Sequence, residues 1–235
     1  MRFVEVVDGL FRATRRGINL YLWMRPGETV LFDTGEPGFA EGIVAAVRPF
    51  PPVRTIFLTH CHFDHAGSAA QLARTFGADV HAHPADAELL RLGKWRRPST
   101  PSPSLVGRAM TKFVASRYPD RLDPIEGILS ITPGADFPFP EMQLIALPGH
   151  AAGQIGFGLT LPGDTRVWVV GDVVMTIGGM REPILYEDRS LGLASIQKLA
   201  GLLKPGDVIC PGHGKPRTAN RTVIQKLHRL GQRRS

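Results

Sequence analysis

The heptapeptide Thr59-His60-Cys61-His62-Phe63-Asp64-His65 constrains this chain more than any other stretch. Three of the eight histidines fall within its last six residues. It follows a short apolar run, Thr55–Leu58, and precedes Ser68–Phe76, whose helical spacing ends at Gly77, a natural helix stop. Any fold must therefore put an imidazole-rich loop at the end of a buried strand. Neutral imidazole and carboxylate are good ligands for zinc and other borderline divalent metals. In extended backbone His60 and His62 project to one side and Asp64 continues the alternation. His65 turns to a second position as the helix begins. One short segment can then serve two adjacent metals.

Other candidate ligands stand at further strand ends. Pro148-Gly149-His150 follows the apolar run Gln143–Leu147, Gly171-Asp172 follows Val167–Val170, and Pro211-Gly212-His213 follows Val208–Cys210. Each run ends in a glycine, which permits unusual backbone angles, and then a coordinating side chain. The remaining pattern alternates short apolar runs with helices. Ile18–Met24 and Thr29–Phe32 flank Arg25-Pro26-Gly27 and predict a hairpin. Helices are expected over Phe39–Val47, Ala85–Leu92 and Leu193–Leu203, with a last one marked by Val223, Ile224, Leu227 and Leu230. Val80–Ala82 and Gln154–Leu159 complete the expected strands.

Residues 94–140 interrupt this rhythm. The breaker-rich link Arg97–Pro103 precedes Ser104–Tyr118, which sets Leu105, Ala109, Met110, Phe113 and Val114 against Arg108 and Lys112. The segment is expected to be a helical and irregular insertion in a single domain spanning 1–235, and a candidate lid. Net charge is +7, concentrated in two places. Residues 91–121 hold eight basic side chains against Asp120 alone, and residues 213–235 hold seven with no acid. Two readings stand open: a solvated basic surface, or a site for an anionic small-molecule substrate met by Arg96 and Arg97.

With two cysteines, Cys61 and Cys210, no disulfide framework is available. Both read as small buried side chains. Glu5 and Asp8 stand where a signal peptide would be apolar, and no run is long enough to span a membrane, so a cytoplasmic protein is expected. His81 and His83, alternating into His83-Pro84, read as supporting or structural residues, and His228 as solvated.

The His-x-His-x-Asp-His pattern in its strand–loop–helix setting, with Asp33-Thr34-Gly35 after an early strand, resembles the metallo-β-lactamase-fold hydrolase superfamily. The resemblance runs from about Ile18 to His213. It implies an α+β fold, a four-layer αβ/βα sandwich with a helical insertion and metals at one edge. It also implies two divalent metal ions per chain, zinc first, with Fe²⁺ and Mn²⁺ accepted by the same donors. One metal would take His60, His62 and His150, the other Asp64, His65 and His213, and Asp172 would bridge them. Asp33 would support the metal loop without binding metal. The implied activity is a dinuclear hydrolase that uses a metal-bridging hydroxide on an ester, thioester or lactone, with Asp64 orienting the hydroxide and passing a proton to the leaving group.

Within the superfamily the substrate stays open. Quorum-signal lactonases place a tyrosine three residues after the bridging Asp, where this chain has Met175, and Tyr186 lies farther on. Glyoxalase II-like thioesterases carry a longer C-terminal portion. True β-lactamases depart from the Asp64-His65 pattern and are exported, whereas no signal is expected here. A phosphodiesterase or nuclease is the fourth reading, although no basic exosite motif points to a nucleic acid partner. Persulfide dioxygenases resemble the pattern but use one iron, and a metal-stabilised binding module is the non-enzymatic alternative. Oligomeric state is not legible.

Overall fold

Turn chemistry lays down the first sheet. The computed structural model describes residues 1–103, 120–134 and 139–233, so the expected helix over 104–118 lies outside the described residues. The chain divides into two compact units, Met1–Arg96 with Asp120–Ala135, and Arg97–Pro119 with Asp136–Ser235.

The first unit opens as an antiparallel meander of β1 (Val4–Val7), β2 (Leu10–Arg15), β3 (Ile18–Arg25) and β4 (Glu28–Phe32). Arg16 and Gly17, between β2 and β3, both have positive φ, 51° and 81°. Such a two-residue turn matches the right-handed twist of its strands. Helix α1 (Ala40–Val47) carries the chain to β5 (Val53–Phe57), which lies parallel to β4. The helices α2 (Phe63–Ala66) and α3 (Ala69–Phe76) then lead to β6 (Asp79–Ala82), again parallel, and α4 (Pro84–Arg91) follows. Gly77 closes α3 in the left-handed region, its N–H bonded to the Ala73 carbonyl. The two-residue strand β7 (Thr100–Pro101) belongs to the second unit, while β8 (Leu129–Ser130) pairs with β6 and ends a seven-stranded sheet. Leu20, Leu22, Val30, Leu31, Phe32, Ile56 and Phe57 are wholly buried in its middle strands. Asp33 directly follows β4, and the histidine loop follows β5 after Leu58. Neighbouring parallel strands therefore deliver both at their carboxyl ends, where open α/β sheets carry their sites.

The second unit is a five-stranded sheet. Strands β9 (Met142–Ala146), β10 (Ile155–Leu161) and β11 (Thr165–Gly171) run antiparallel. Strand β12 (Leu185–Tyr186) pairs separately with β7. Helix α5 (Arg189–Leu202) begins at Asp188, whose carboxylate accepts the Leu191 N–H at 3.0 Å. Strand β13 (Val208–Pro211) is parallel to β11, and β14 (Arg217–Thr218) forms the edge. Asn220 caps the last helix, α6 (Arg221–Gly231). Leu193, Ile196 and Leu199 of α5 share one buried cluster with Leu227 and Leu230 of α6 and with Trp168 and Val170 of β11. Gly158 is required here, because a Cβ at that position would lie 2.7 Å from the Trp168 ring.

Helix α5 starts four residues before the expected Leu193, because its exposed first turn carries no apolar period. Strands β1, β2, β7, β8, β12 and β14 are not expected from the sequence; they are short or face water on much of their surface, so alternation is weak. Among the described residues no helix is long and apolar enough to cross a membrane.

Candidate metal centre

In the first unit Asp33 organises the histidine loop. It sits at φ 61°, a conformation Asp tolerates better than most residues, and is 2% exposed. Its Oδ1 accepts the Thr59 N–H at 2.8 Å. Its Oδ2 accepts the Thr59 hydroxyl at 2.9 Å and His65 Nδ1–H at 2.8 Å. Because the Thr59 hydroxyl spends its proton on Asp33, it acts as acceptor toward His60 Nδ1–H at 3.0 Å. Both imidazoles are thereby held as the Nδ1–H tautomer, which leaves Nε2 as the nitrogen able to accept a metal.

Helix α2 supplies the change of direction. The His62 carbonyl accepts the N–H groups of His65 and Ala66, so Asp64 and His65 enter a helical turn immediately. The His60 ring lies 4.6 Å from that of His62 and 4.2 Å from that of His65, centroid to centroid. Potential donor atoms of His60 and His62 lie within 4.8 Å of each other, as do those of His60 and His65, and of Asp64 and His65. Asp64 Oδ2 stands 3.8 Å from His65 Nε2. His60, His62 and His65 are buried, while Asp64 keeps 18% of its side chain exposed.

The loop is held on another flank by a residue with no distinguishing signal in the sequence. Asp86, wholly buried in the first turn of α4, accepts the Cys61 N–H at 3.0 Å. Cys61 itself is wholly buried and joins none of the metal-competent groups found among the described residues. Trp95 stands edge-on to Phe63 at 5.0 Å and to His62 at 6.3 Å, an aromatic wall beside the ligand loop.

In the second unit the other three candidates converge. Gly149, at φ 132°, turns the chain after β9; a Cβ there would strike the Gly192 backbone at 2.1 Å. His150 follows, and its Nδ1–H donates to the Leu185 carbonyl at 2.9 Å, so Nε2 is again the bare nitrogen. Asp172 follows β11, with Oδ2 3.7 Å from His150 Nε2 and 3.2 Å from His213 Nε2. The His213 carbonyl accepts the Thr176 N–H at 3.1 Å, tying the loop after Asp172 to the loop after β13.

This donor set fits a cation. A carboxylate oxygen facing an unprotonated imidazole nitrogen is repulsive unless a positive charge or a proton lies between them. His150 and Asp172 present that arrangement inside protein, both side chains 4% exposed.

The other histidines have structural partners. His83 Nδ1 accepts the Ala85 N–H at the start of α4, and His228 Nδ1 bonds Gln197 at 2.8 Å. Burial holds His81 below the usual imidazole range, opposed by the Asp79 charge. Tyr186 is equally committed. Its hydroxyl donates to Glu182, which also takes Arg189 and Arg233, and burial together with that carboxylate pushes the phenol well above its ordinary range.

Of the two arginines read as anion contacts, Arg97 pairs with Glu187 at 3.3 Å. Arg96 lies over Trp95 and 3.6 Å from the exposed Asp120.

Comparison with known proteins agrees with this chemistry. The chain is 29% identical over 237 residues to a probable metallo-hydrolase, YflN, of Bacillus subtilis, covering 91% of this chain and 87% of that one. It is 26% identical over 194 residues to the hydroxyacylglutathione hydrolase GloC of Haemophilus influenzae, covering 82% and 83%. A solved B3 metallo-β-lactamase with an active-site glutamic acid superposes with a TM-score of 0.72 at 20% identity, over 98% of this chain and 88% of that one, and so shares its fold. The sequence pattern of the metallo-β-lactamase superfamily matches residues 13–220, and this chain belongs to that superfamily.

Proposed function

We propose that the chain is a dinuclear metal-dependent hydrolase acting on an ester, thioester or lactone. The first metal would be held by His60, His62 and His150, the second by Asp64, His65 and His213, with Asp172 shared. The observation that carries this reading is the tautomer control. Asp33 and Thr59 hold Nδ1 of His65 and His60, and the Leu185 carbonyl holds Nδ1 of His150, so each imidazole offers Nε2. Purely structural histidines need no such common orientation. Domain 1–235 acts as one functional body in this reading, with 94–140 as its insertion.

Two divalent ions, zinc foremost, would supply an activated water near neutral pH and polarise the scissile carbonyl. The residues of the chain do the rest. Asp33 and Asp86 keep the ligand loop rigid, so little reorganisation accompanies the reaction. Asp64, the one carboxylate of the ligand loop and 18% exposed, orients the attacking water and carries its proton to the leaving alkoxide or thiolate. Trp95 and Phe63 supply an apolar wall beside His62 for an acyl chain.

Among the three substrate classes, thioesters are favoured by the hydroxyacylglutathione hydrolase of H. influenzae among the relatives. A lactonase-like role for Tyr186 is disfavoured by its bond to Glu182. The test is a panel of small esters, thioesters, lactones and phosphodiesters with zinc-loaded and chelator-stripped protein. Thioester turnover that vanishes on stripping and returns with zinc supports the reading. Turnover of phosphodiesters alone, or oxygen consumption with a persulfide, refutes it.

A further inference from the structure

Strand β12 has two edges, and they serve different masters. Successive carbonyls along an extended segment point in opposite directions. The Ile184 carbonyl accepts the Ser102 N–H at 2.7 Å, and Leu185 and Tyr186 pair with Pro101 and Thr100. The Leu185 carbonyl turns the other way and accepts His150 Nδ1–H. Two more backbone bonds hold the same loop: Glu187 N–H to the His150 carbonyl at 3.3 Å and Asp188 N–H to the Gly149 carbonyl at 2.9 Å. Segment 184–188 is thus a strap, with the opening of the 94–140 insertion on one side and the His150 loop on the other.

Glu187 closes the strap. Its Oε2 accepts the Ala152 N–H at 2.7 Å, two residues past His150, and its side chain is 9% exposed. A carboxylate so buried needs a counter-charge. Arg97, at the start of the insertion, supplies it, with Nη1 at 3.3 Å from both carboxylate oxygens. Charge-assisted bonds usually run 2.7–2.9 Å, so this pair is long, and the Ala152 bond is the tighter of the two.

We infer that Arg97 and Glu187 form a latch that positions His150, and that Arg97 serves the metal centre through Glu187 instead of by attracting a substrate anion. The inference rests on the proposed role of His150 as a ligand. It makes the insertion's first residues part of the metal site's support: whatever orders residues 97–102 also steadies the imidazole. Both are positioning residues, since neither touches the reacting atoms.

The variants are Arg97→Ala, Arg97→Lys, Glu187→Ala, Glu187→Gln, the double alanine variant, and His150→Ala as control. Zinc affinity is measured by chelator competition, ligand geometry by the absorption spectrum of the cobalt-substituted protein, and loop order by amide exchange at Ala151–Gly153 in metal-free protein. Kinetics use a matched pair of anionic and neutral thioesters.

Glu187→Ala is expected to weaken zinc binding about 10-fold, the usual scale for a residue supporting a metal ligand, and to speed exchange at Ala152. Glu187→Gln keeps an acceptor for Ala152 and should lose well under about 10-fold, as should Arg97→Ala, given its long contact. Arg97→Lys should recover most of that loss. The double variant should be no weaker than Glu187→Ala alone, because Arg97 acts through Glu187. Turnover should fall equally for both thioesters, with KM unchanged. Should Glu187→Ala fail to fold, Glu187→Gln and Arg97→Lys carry the comparison.

The latch is overturned if Arg97→Ala raises KM for the anionic thioester alone while zinc affinity, cobalt spectrum and exchange stay at wild-type values. Additive losses in the double variant overturn it equally. If His150→Ala binds zinc as tightly as wild type, the ligand assignment itself fails; slowed or unchanged exchange at Ala152 in Glu187→Ala separately refutes the latch.

Discussion

Replacing Asp33 by Asn tests the tautomer argument with almost no change of shape. Asn adopts φ 61° at least as readily as Asp, so the backbone is not perturbed. The carboxylate accepts three hydrogen bonds, from Thr59 N–H, the Thr59 hydroxyl and His65 Nδ1–H. In Asn one oxygen still accepts from Thr59 N–H, but the amide NH₂ then faces two donors. His65 must move its proton to Nε2 or turn away, and the Thr59 hydroxyl loses the acceptor that committed it to receive from His60. Hydrogen bonds to a charged group contribute about 1.5–3 kcal/mol each, so losing one and weakening another costs about 2–4 kcal/mol. For a chain of this size each kcal/mol moves Tm by about 2–4 °C, which places the metal-free variant about 5–15 °C below wild type. With Nε2 of His65 protonated, zinc affinity should fall about 10–100-fold. Thermal unfolding of chelator-treated protein and competition titration read the two effects separately. A variant within 2 °C and within threefold in affinity would refute the claim that Asp33 sets the ligating nitrogens.

Other substitutions probe other parts of the account. Asp172→Ala should lose metal and activity together, read by elemental analysis and turnover; full metal content would contradict its place between His150 and His213. Asp64→Asn should retain part of the metal while kcat falls about 10²–10⁴-fold, the range for removing a proton-transfer group. Cys61→Ala should keep metal and activity and cost only about 1 kcal/mol, because Cys61 is a small buried side chain; an inactive, metal-loaded variant would show otherwise. Burial lowers the His81 pKa, so the native state favours neutral imidazole. The stability this contributes is present above the unfolded value near 6.5 and is lost as pH falls through the lower folded value. In metal-free protein, acidification from pH 7 should therefore lower Tm less in His81→Phe than in wild type, and an identical pH slope would refute the assignment.

What was legible in the sequence follows from where the signal is local. The His60–His65 loop could be read directly, because its residues fall within one strand–loop–helix turn and their spacing carries the chemistry. His150, Asp172 and His213 stand out as candidates because each follows a buried run and a glycine, and Gly149 proves to be required by the close approach of Gly192. The support of these proposed ligands was largely illegible. Asp86 reaches Cys61 from a helix 25 residues on, and Glu187 reaches Ala152 across 35, with no periodicity linking them. The His150 tautomer depends on the Leu185 carbonyl, and a backbone acceptor leaves no trace in side-chain pattern. The edge strands β1 and β14 escaped for a related reason: exposed strands need no apolar alternation. The sequence leaves Arg97 open between a solvated surface and a substrate anion, because its pairing with Glu187, 90 residues on, has no local signature.

The central claim, two metals serving hydrolysis, is tested most directly by metal stoichiometry tied to turnover. Elemental analysis of the purified protein, followed by zinc titration of the stripped chain with thioester hydrolysis recorded at each step, gives both numbers at once. The account predicts two equivalents of divalent metal per chain, with activity reaching its full value only as the second binds. One tightly held iron, with no second site filled by added zinc, would contradict it.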